Sequence, residues 1–146
     1  MRFSISADEE TGVATLIAGA LAERGHDVVA WRGALSEAER DDWAWASEAA
    51  ARDVAGGDAD QAVVACWTGT GASIAANKVG GIRAALCSDA ETAAGARKWN
   101  DANVLALSLR TTSEALLGEI LDAWLAAEAS DEQDDRDNVG HLGEIR

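Results

Sequence analysis

Short apolar runs alternate with longer amphipathic segments along this chain. The short runs predict five strands, over residues 3–7, 27–31, 61–66, 82–87 and 104–107. Helical periodicity predicts helices over residues 13–24, 43–55 and 90–98. Residues 73–78 begin a further predicted helix, and the last main helix is predicted to end near residue 127. Strands and helices that alternate in this way are typical of βα units. The pattern therefore predicts an α/β fold, a Rossmann-like three-layer sandwich with a five-stranded parallel sheet between helices.

The same pattern predicts how the chain is divided. Thr111 and Glu114 have the spacing of a capping box, which predicts the start of the last main helix. No long linker interrupts residues 1–129, and we expect them to form one domain. A charge run from Asp131 to Asp137 follows, and we expect residues 130–146 to form an acidic C-terminal tail that is solvated and partly mobile.

Composition excludes several classes of partner. The 146 residues carry a formal net charge of −14, which argues against nucleic acid or an anionic membrane as a partner. No apolar run is long enough to span a bilayer, and the first residues have the pattern of a strand rather than a signal peptide. Two cysteines do not make a disulfide framework, so we expect a cytoplasmic location.

The clearest candidate chemistry lies after the third predicted strand. That strand ends at Cys66, and a glycine-rich turn with Gly69 and Gly71 leads into a helix. The first turn of a helix has N–H groups without partners and a positive end, which favours a thiolate and binds anions. Cys66 is therefore a candidate nucleophile or base, although a small buried hydrophobe in an ordinary turn would also fit. Cys87 ends an apolar run without a glycine turn, and we expect it in the core.

Three segments around and after this turn resemble one protein family. They are Ser73-Ile74-Ala75-Ala76-Asn77-Lys78-Val79, Gly81-Ile82-Arg83-Ala84-Ala85 and Asn100-Asp101-Ala102-Asn103-Val104-Leu105. The chain is similar, over residues 1–127, to the type B ribose-5-phosphate isomerases, which are grouped with the galactose-6-phosphate isomerase subunits. The resemblance implies an aldose–ketose isomerase that acts through a cis-enediolate on a small sugar. It also implies that no cofactor or metal is used, and that the chain forms a homodimer or a tetramer.

The resemblance assigns roles to particular residues. Cys66 is implied to be the base, Thr68 to assist it, and the glycine-rich loop to form the anion hole. Asn100 and Asp8 match residues that contact the sugar, although from the residues alone each fits a loop, turn or capping position. The full set that we expect at the substrate is Asp8, Glu9, Trp43, Trp67, Gly69, Gly71, Ala72, Ser73, Trp99, Asn100 and Arg110.

The chain departs from the family where phosphate would be held. Glu9 stands in place of a histidine that contacts phosphate, and Trp99 in place of a histidine implicated in opening the sugar ring. The family's C-terminal arginines align best with Asp134 and Asn138, although Arg136 could be shifted into place. Arg110 matches a remaining family arginine. Phosphate sites use cationic donors, so carboxylates at these positions would repel a phosphate.

Three functions remain open from the sequence. The first is an isomerase of a sugar that lacks the usual phosphate, recognised by stacking on Trp43, Trp67 and Trp99. The alternative is a degenerate family member that binds a sugar or a partner protein without turnover, since both family histidines are lost. The third is an ordinary ribose-5-phosphate isomerase, which would need cationic side chains from a neighbouring subunit.

Overall fold

Residues 1–145 are described by the computed structural model, and they form a five-stranded sheet flanked by helices. The strands are β1 (Arg2–Ala7), β2 (Asp27–Gly33), β3 (Gln61–Cys66), β4 (Ala84–Leu86) and β5 (Val104–Ser108). The helices are a 3-10 turn (Gly12–Thr15), α1 (Ile17–Glu23), α2 (Trp43–Ala55), α3 (Thr70–Asn77), α4 (Ala90–Asn100), α5 (Glu114–Ala126) and α6 (Gln133–Leu142). The strand order is β2-β1-β3-β5-β4, and every pairing is parallel.

Two apolar cores cover the two faces of this sheet. Alternate side chains of a strand point to opposite faces, so Val63 and Ala65 of β3 join one core while Val64 and Cys66 join the other. Helices α1, α4 and α5 pack on the first face, and α2 and α3 pack on the second. The predicted three-layer α/β fold with five parallel strands is therefore confirmed.

Several predicted boundaries differ from the structure. Strand β4 is shorter than predicted, and the side-chain amide of Asn77 hydrogen-bonds both the N–H and the C=O of its first residue, Ala84. The capping box of Thr111 and Glu114 was wrong, because the N-cap of α5 is Ser113, whose Oγ accepts the N–H of Leu116 at 3.1 Å. The first predicted helix is divided into the 3-10 turn and α1.

The acidic tail contains helix α6, which the charge run did not predict. None of its residues is buried, so the helix is exposed to solvent. Asp134 and Asp135 lie in its first turn, where carboxylates stabilise a helix N-terminus. No helix among residues 1–145 has the length and apolar character needed to cross a membrane.

Candidate active site

Cys66 is the last residue of β3 and lies at the carboxyl edge of the sheet. It is level with Ser108 of β5, and the preceding Ala65 pairs with Ala7 at the end of β1. The side chain is 5 % exposed, and its Sγ accepts the N–H of Ala72 at 3.4 Å. The thiol therefore lies against the first turn of α3, beside N–H groups that have no acceptor within the helix.

The glycine-rich loop fits closely against its neighbours. Gly69 has φ +76° and is the N-cap of α3, and a Cβ on it would lie 2.8 Å from the carbonyl carbon of Leu107. A Cβ on Gly71 would lie 2.8 Å from the indole of Trp43. Only glycine permits both approaches, so the loop is held between β5 on one side and the start of α2 on the other.

The hydroxyl of Thr68 has a partner within the loop. Its Oγ1 lies 2.8 Å from Oγ1 of Thr70, the first residue of α3. Thr68 is exposed, and its predicted assistance to Cys66 stays a prediction. The loop is also tied to the end of β5, because the C=O of Trp67 accepts hydrogen bonds from Ser108 Oγ and from the N–H of Arg110, each at 2.9 Å.

Most of the predicted site residues gather around this loop. Trp43 packs on Gly71, Trp67 follows Cys66, and Arg110 follows β5; these three side chains are exposed. Ala72 is buried beneath the loop, and Ser73 follows it in α3. Asp8 and Glu9 come directly after β1, the strand beside β3. The structure therefore brings these residues to one edge of the sheet.

Asp8 is an acid at this edge with a buried carboxylate oxygen that is unpartnered within residues 1–145. Its Oδ1 is buried and has no hydrogen-bond partner among the described residues. Burial raises the pKa of the Asp8 carboxyl, and the nearby carboxylates of Glu9 and Asp41 raise it further. Asp8 therefore holds its proton to a higher pH than an ordinary aspartic acid.

This shift makes a prediction about stability. The native state binds the Asp8 proton more tightly than the unfolded chain, so stability falls as pH rises through the native pKa. We expect Asp8→Asn, which cannot ionise, to melt at a higher temperature than wild type near pH 7. The two melting temperatures should converge near pH 3, where wild-type Asp8 is protonated. Thermal unfolding followed by circular dichroism across this range measures the difference, and a difference independent of pH would contradict the assignment.

An acidic cavity of about 430 Å³ opens beside Asp8. It is lined by Asp8, Glu9, Glu10, Gly33, Ala34, Ser36, Glu37, Glu39 and Asp41. Six of these lining residues are carboxylates, and none is basic. The cavity therefore presents a strongly negative surface to any ligand at this edge.

Trp99 and Asn100 lie at the opposite edge of the sheet. They end helix α4, which runs antiparallel to the strands, and Asn100 lines a cavity with Arg83 and Ala84 at the start of β4. Trp99 is 53 % exposed and packs against Gly95 of its own helix. Within one chain, the structure does not bring these two residues to Cys66.

The decisive comparison is with protein-family models. The family described as Ribose/Galactose Isomerase matches residues 4–142. The chain belongs to this family. Ribose-5-phosphate isomerase B of Escherichia coli is 44 % identical over 108 residues, which are 74 % of this chain and 71 % of that protein. The galactose-6-phosphate isomerase subunit LacB of Clostridium acetobutylicum is 41 % identical over 98 residues, 67 % of this chain and 57 % of its own length.

Solved structures of family members have the same fold. Ribose-5-phosphate isomerase B of Clostridium thermocellum superposes with a TM-score of 0.87 at 37 % identity, and the match covers 99 % of this chain and 97 % of that one. The enzyme of Mycoplasma genitalium, solved with bound ribulose-5-phosphate, gives a TM-score of 0.85 at 28 % identity and covers 98 % and 94 %. The expectation of an enzyme of this isomerase family is thus confirmed.

The loop between β2 and α2 also lies at the carboxyl edge of the sheet, and the site residues predicted from the sequence did not include any of its residues. It supplies Glu37, Glu39 and Asp41 to the acidic cavity. A signal was present, because these acids follow a predicted strand and the carboxyl ends of parallel strands share one edge. No group of three or more His, Cys, Asp or Glu side chains within residues 1–145 is arranged to hold a metal ion.

Proposed function

We propose that this chain is an aldose–ketose isomerase in which Cys66 is the base. The observation that supports this role most directly is the contact of its Sγ with the N–H of Ala72, at the first turn of α3. A thiolate there would take a proton from one carbon of the open sugar and return it to the adjacent carbon. The neighbouring N–H groups would stabilise the negative oxygens of the cis-enediolate between these two transfers.

The surrounding side chains suggest how the sugar is held. Asp8 lies at the end of the neighbouring strand with an unpartnered Oδ1, and we assign it to a sugar hydroxyl. Trp43 packs on Gly71 and Trp67 lies at the start of the glycine-rich loop, and both exposed indoles offer apolar faces to the C–H groups of a sugar. Thr68, which bonds to Thr70, is assigned to assist Cys66.

The acidic cavity supports a substrate without the usual phosphate. Glu9 and five other carboxylates line it, and no basic side chain does. A phosphate dianion would meet like charge there, whereas the hydroxyls of a free sugar could donate to the same oxygens. We therefore propose a free sugar, or a derivative that is recognised by stacking and hydrogen bonds.

A second candidate is an ordinary sugar-phosphate isomerase, and one feature favours it. Lys98 and Arg136 line a cavity of about 380 Å³ beside Trp99, at the far edge of the sheet. In an assembly that places this edge against another copy's Cys66, these cations would be available to a phosphate. The named relatives, ribose-5-phosphate isomerase B and the galactose-6-phosphate isomerase subunit, take phosphorylated sugars by name.

We expect the chain to form a homodimer in solution. Asn100 can contact a sugar at Cys66 only in an assembly, because the two residues lie at opposite edges of the sheet within one chain.

 Trp99, Leu142 and Ile145 are exposed apolar side chains that line cavities at the same edge as Asn100. Aromatic residues are enriched at interfaces. Sedimentation equilibrium at micromolar concentration should give the mass of two chains, and a monomer at that concentration would contradict the assembly.

A screen of free and phosphorylated aldoses against the purified protein tests the proposed function. We expect wild type to convert at least one free aldose to its ketose, and Cys66→Ala to lose that conversion. Turnover of phosphorylated sugars alone would favour the second candidate. Binding of a sugar with no turnover of any would instead indicate a degenerate, non-catalytic family member.

A further inference from the structure

One cluster of ion pairs holds the loop that forms one wall of the acidic cavity. The loop comprises residues 34–42, between β2 and α2. Arg32 of β2 donates from Nε and Nη2 to the two carboxylate oxygens of Asp53, at 2.8 and 2.6 Å, and from Nη1 to Glu39 Oε1 at 2.6 Å. Glu39 belongs to the loop, and its Oε2 also accepts the N–H of Gly33 at 3.3 Å. Arg32 therefore links the loop to helix α2.

The other end of this link is fixed in the protein interior. Asp53 is 7 % exposed and accepts a hydrogen bond from Ser4 Oγ of β1 at 2.7 Å. Asp53 of α2 thus accepts hydrogen bonds from side chains of two strands, β1 and β2. Because a guanidinium that bonds both oxygens of a carboxylate has a defined orientation, Arg32 presents its third donor, Nη1, in one direction. That direction is toward Glu39.

The link to Glu39 is more shielded from water than the other ion pair of the loop. The side chains of Arg32 and Glu39 are 30 % and 29 % exposed, whereas those of Arg40 and Asp42 are 58 % and 54 % exposed. Exposed pairs contribute little to stability, and shielding strengthens the interaction. The hydrogen bonds to Asp53 and Glu39 also raise the pKa of Arg32, so it stays charged. The shielded pair is therefore the one that can fix the loop.

The position of the loop determines the shape of the proposed site. Glu37, Glu39 and Asp41 of the loop form one wall of the cavity beside Asp8. The loop then leads into Trp43, whose indole packs on Gly71 of the glycine-rich loop. A shift of the loop would therefore move a cavity wall and disturb the contact between α2 and the turn after Cys66.

We propose that Arg32 and Glu39 are positioning residues, which hold the loop 34–42 as a wall of the substrate cavity. The proposal rests on the proposed function, because it assigns the cavity to the sugar. Arg32 and Glu39 act through the loop and take no part in proton transfer at the sugar. Loss of the link between Arg32 and Glu39 should consequently weaken binding of the sugar, seen as a higher KM, more than it slows the chemical step, seen in kcat.

Glu39→Gln tests the proposal, because glutamine keeps the shape of the side chain and removes its charge. The matched control is Glu48→Gln, which removes an exposed ion pair with Arg52 from α2 and leaves the loop unchanged. Hydrogen exchange of the sugar-free protein is measured by mass spectrometry on peptides that cover residues 34–42. We expect these peptides to exchange at least about 5-fold faster in Glu39→Gln and at the wild-type rate in Glu48→Gln.

The second measurement is steady-state kinetics on the aldose that the screen identifies. We expect KM to rise roughly 5-fold in Glu39→Gln while kcat changes less than about 2-fold, and neither to change in Glu48→Gln. Wild-type exchange of the loop in Glu39→Gln would overturn the proposal, whether or not any sugar is turned over. Faster exchange with an unchanged KM would overturn the positioning role.

The same measurements separate this proposal from the proposed function. If no sugar is turned over, the proposed isomerase activity fails, and hydrogen exchange alone decides whether Arg32 and Glu39 hold the loop. Arg32→Ala is a poorer test, because it would leave the buried carboxylate of Asp53 without its cationic partner and destabilise the fold as a whole.

Discussion

Cys66→Ala should lower the turnover of the free aldose by about 10²–10⁴-fold, the usual contribution of a positioned acid–base group. The physical reason is that alanine can neither take the proton from the sugar carbon nor return it. The fold should survive, because Cys66 contributes one small side chain to the core between β3 and α3. Rates are compared at saturating sugar, and circular dichroism checks that the variant is folded.

Cys87→Ala is the matched control for this prediction. Cys87 is 1 % exposed, and burial, with a further contribution from Asp89, raises the pKa of its thiol to about 12. Such a thiol is protonated at neutral pH and unsuited to act as a base. We expect Cys87→Ala to cost about 1 kcal/mol of stability and to leave kcat unchanged. Unchanged kcat in Cys66→Ala would end the assignment of the base.

Cys66→Ser adds a test of chemistry at nearly constant volume. A serine hydroxyl can still accept the N–H of Ala72, but it gives up its proton far less readily than a thiol does. We therefore expect Cys66→Ser to resemble Cys66→Ala in rate. A serine variant with wild-type turnover would mean that the side chain at this position serves packing or hydrogen bonding alone.

The fold could be predicted because its signals are local and periodic. Residues 62–66 form one apolar run, and such runs are typical of strands buried on both faces, as β3 is. The position of Cys66 followed from the same run, since a strand that ends before a glycine-rich turn must deliver its last residue to the sheet edge. The N-cap of α5 could not be predicted as securely, because Thr111 and Ser113 offer similar side chains two residues apart.

The candidate site could be predicted only in part. A helix that follows a parallel strand runs back to the other edge of the sheet, so the end of α4 places Asn100 away from Cys66. The family resemblance grouped the two residues, and the topology explains why they separate within one chain. The link from Arg32 joins it to Glu39, 7 positions along the chain, and to Asp53, 21 positions along, and no periodicity or spacing signals such a contact.

Phosphorylation of the sugar should weaken its binding. Two carboxylates of the acidic cavity, Glu9 and Asp8, follow β1 beside the strand that ends at Cys66. A phosphate charge about 4 Å from one ionised carboxylate is repelled by about 1 kcal/mol in bulk water and about 4 kcal/mol at an effective dielectric of 20. A charge-assisted hydrogen bond from an arginine contributes about 1.5–3 kcal/mol, and Arg110 is exposed to water. With several carboxylates facing one such arginine, repulsion should exceed attraction.

Titrations of ribose and ribose 5-phosphate near neutral pH measure this difference. We expect ribose to bind more tightly, inorganic phosphate not to compete with it, and high salt to narrow the gap, because salt screens repulsion at partly exposed groups. Glu9→Gln removes one of the repelling charges and should improve binding of the phosphorylated sugar while changing ribose binding less. Clearly tighter binding of ribose 5-phosphate by wild type would mean that cations such as Lys98 and Arg136 of a second copy hold the phosphate, and the chain would then act as a sugar-phosphate isomerase.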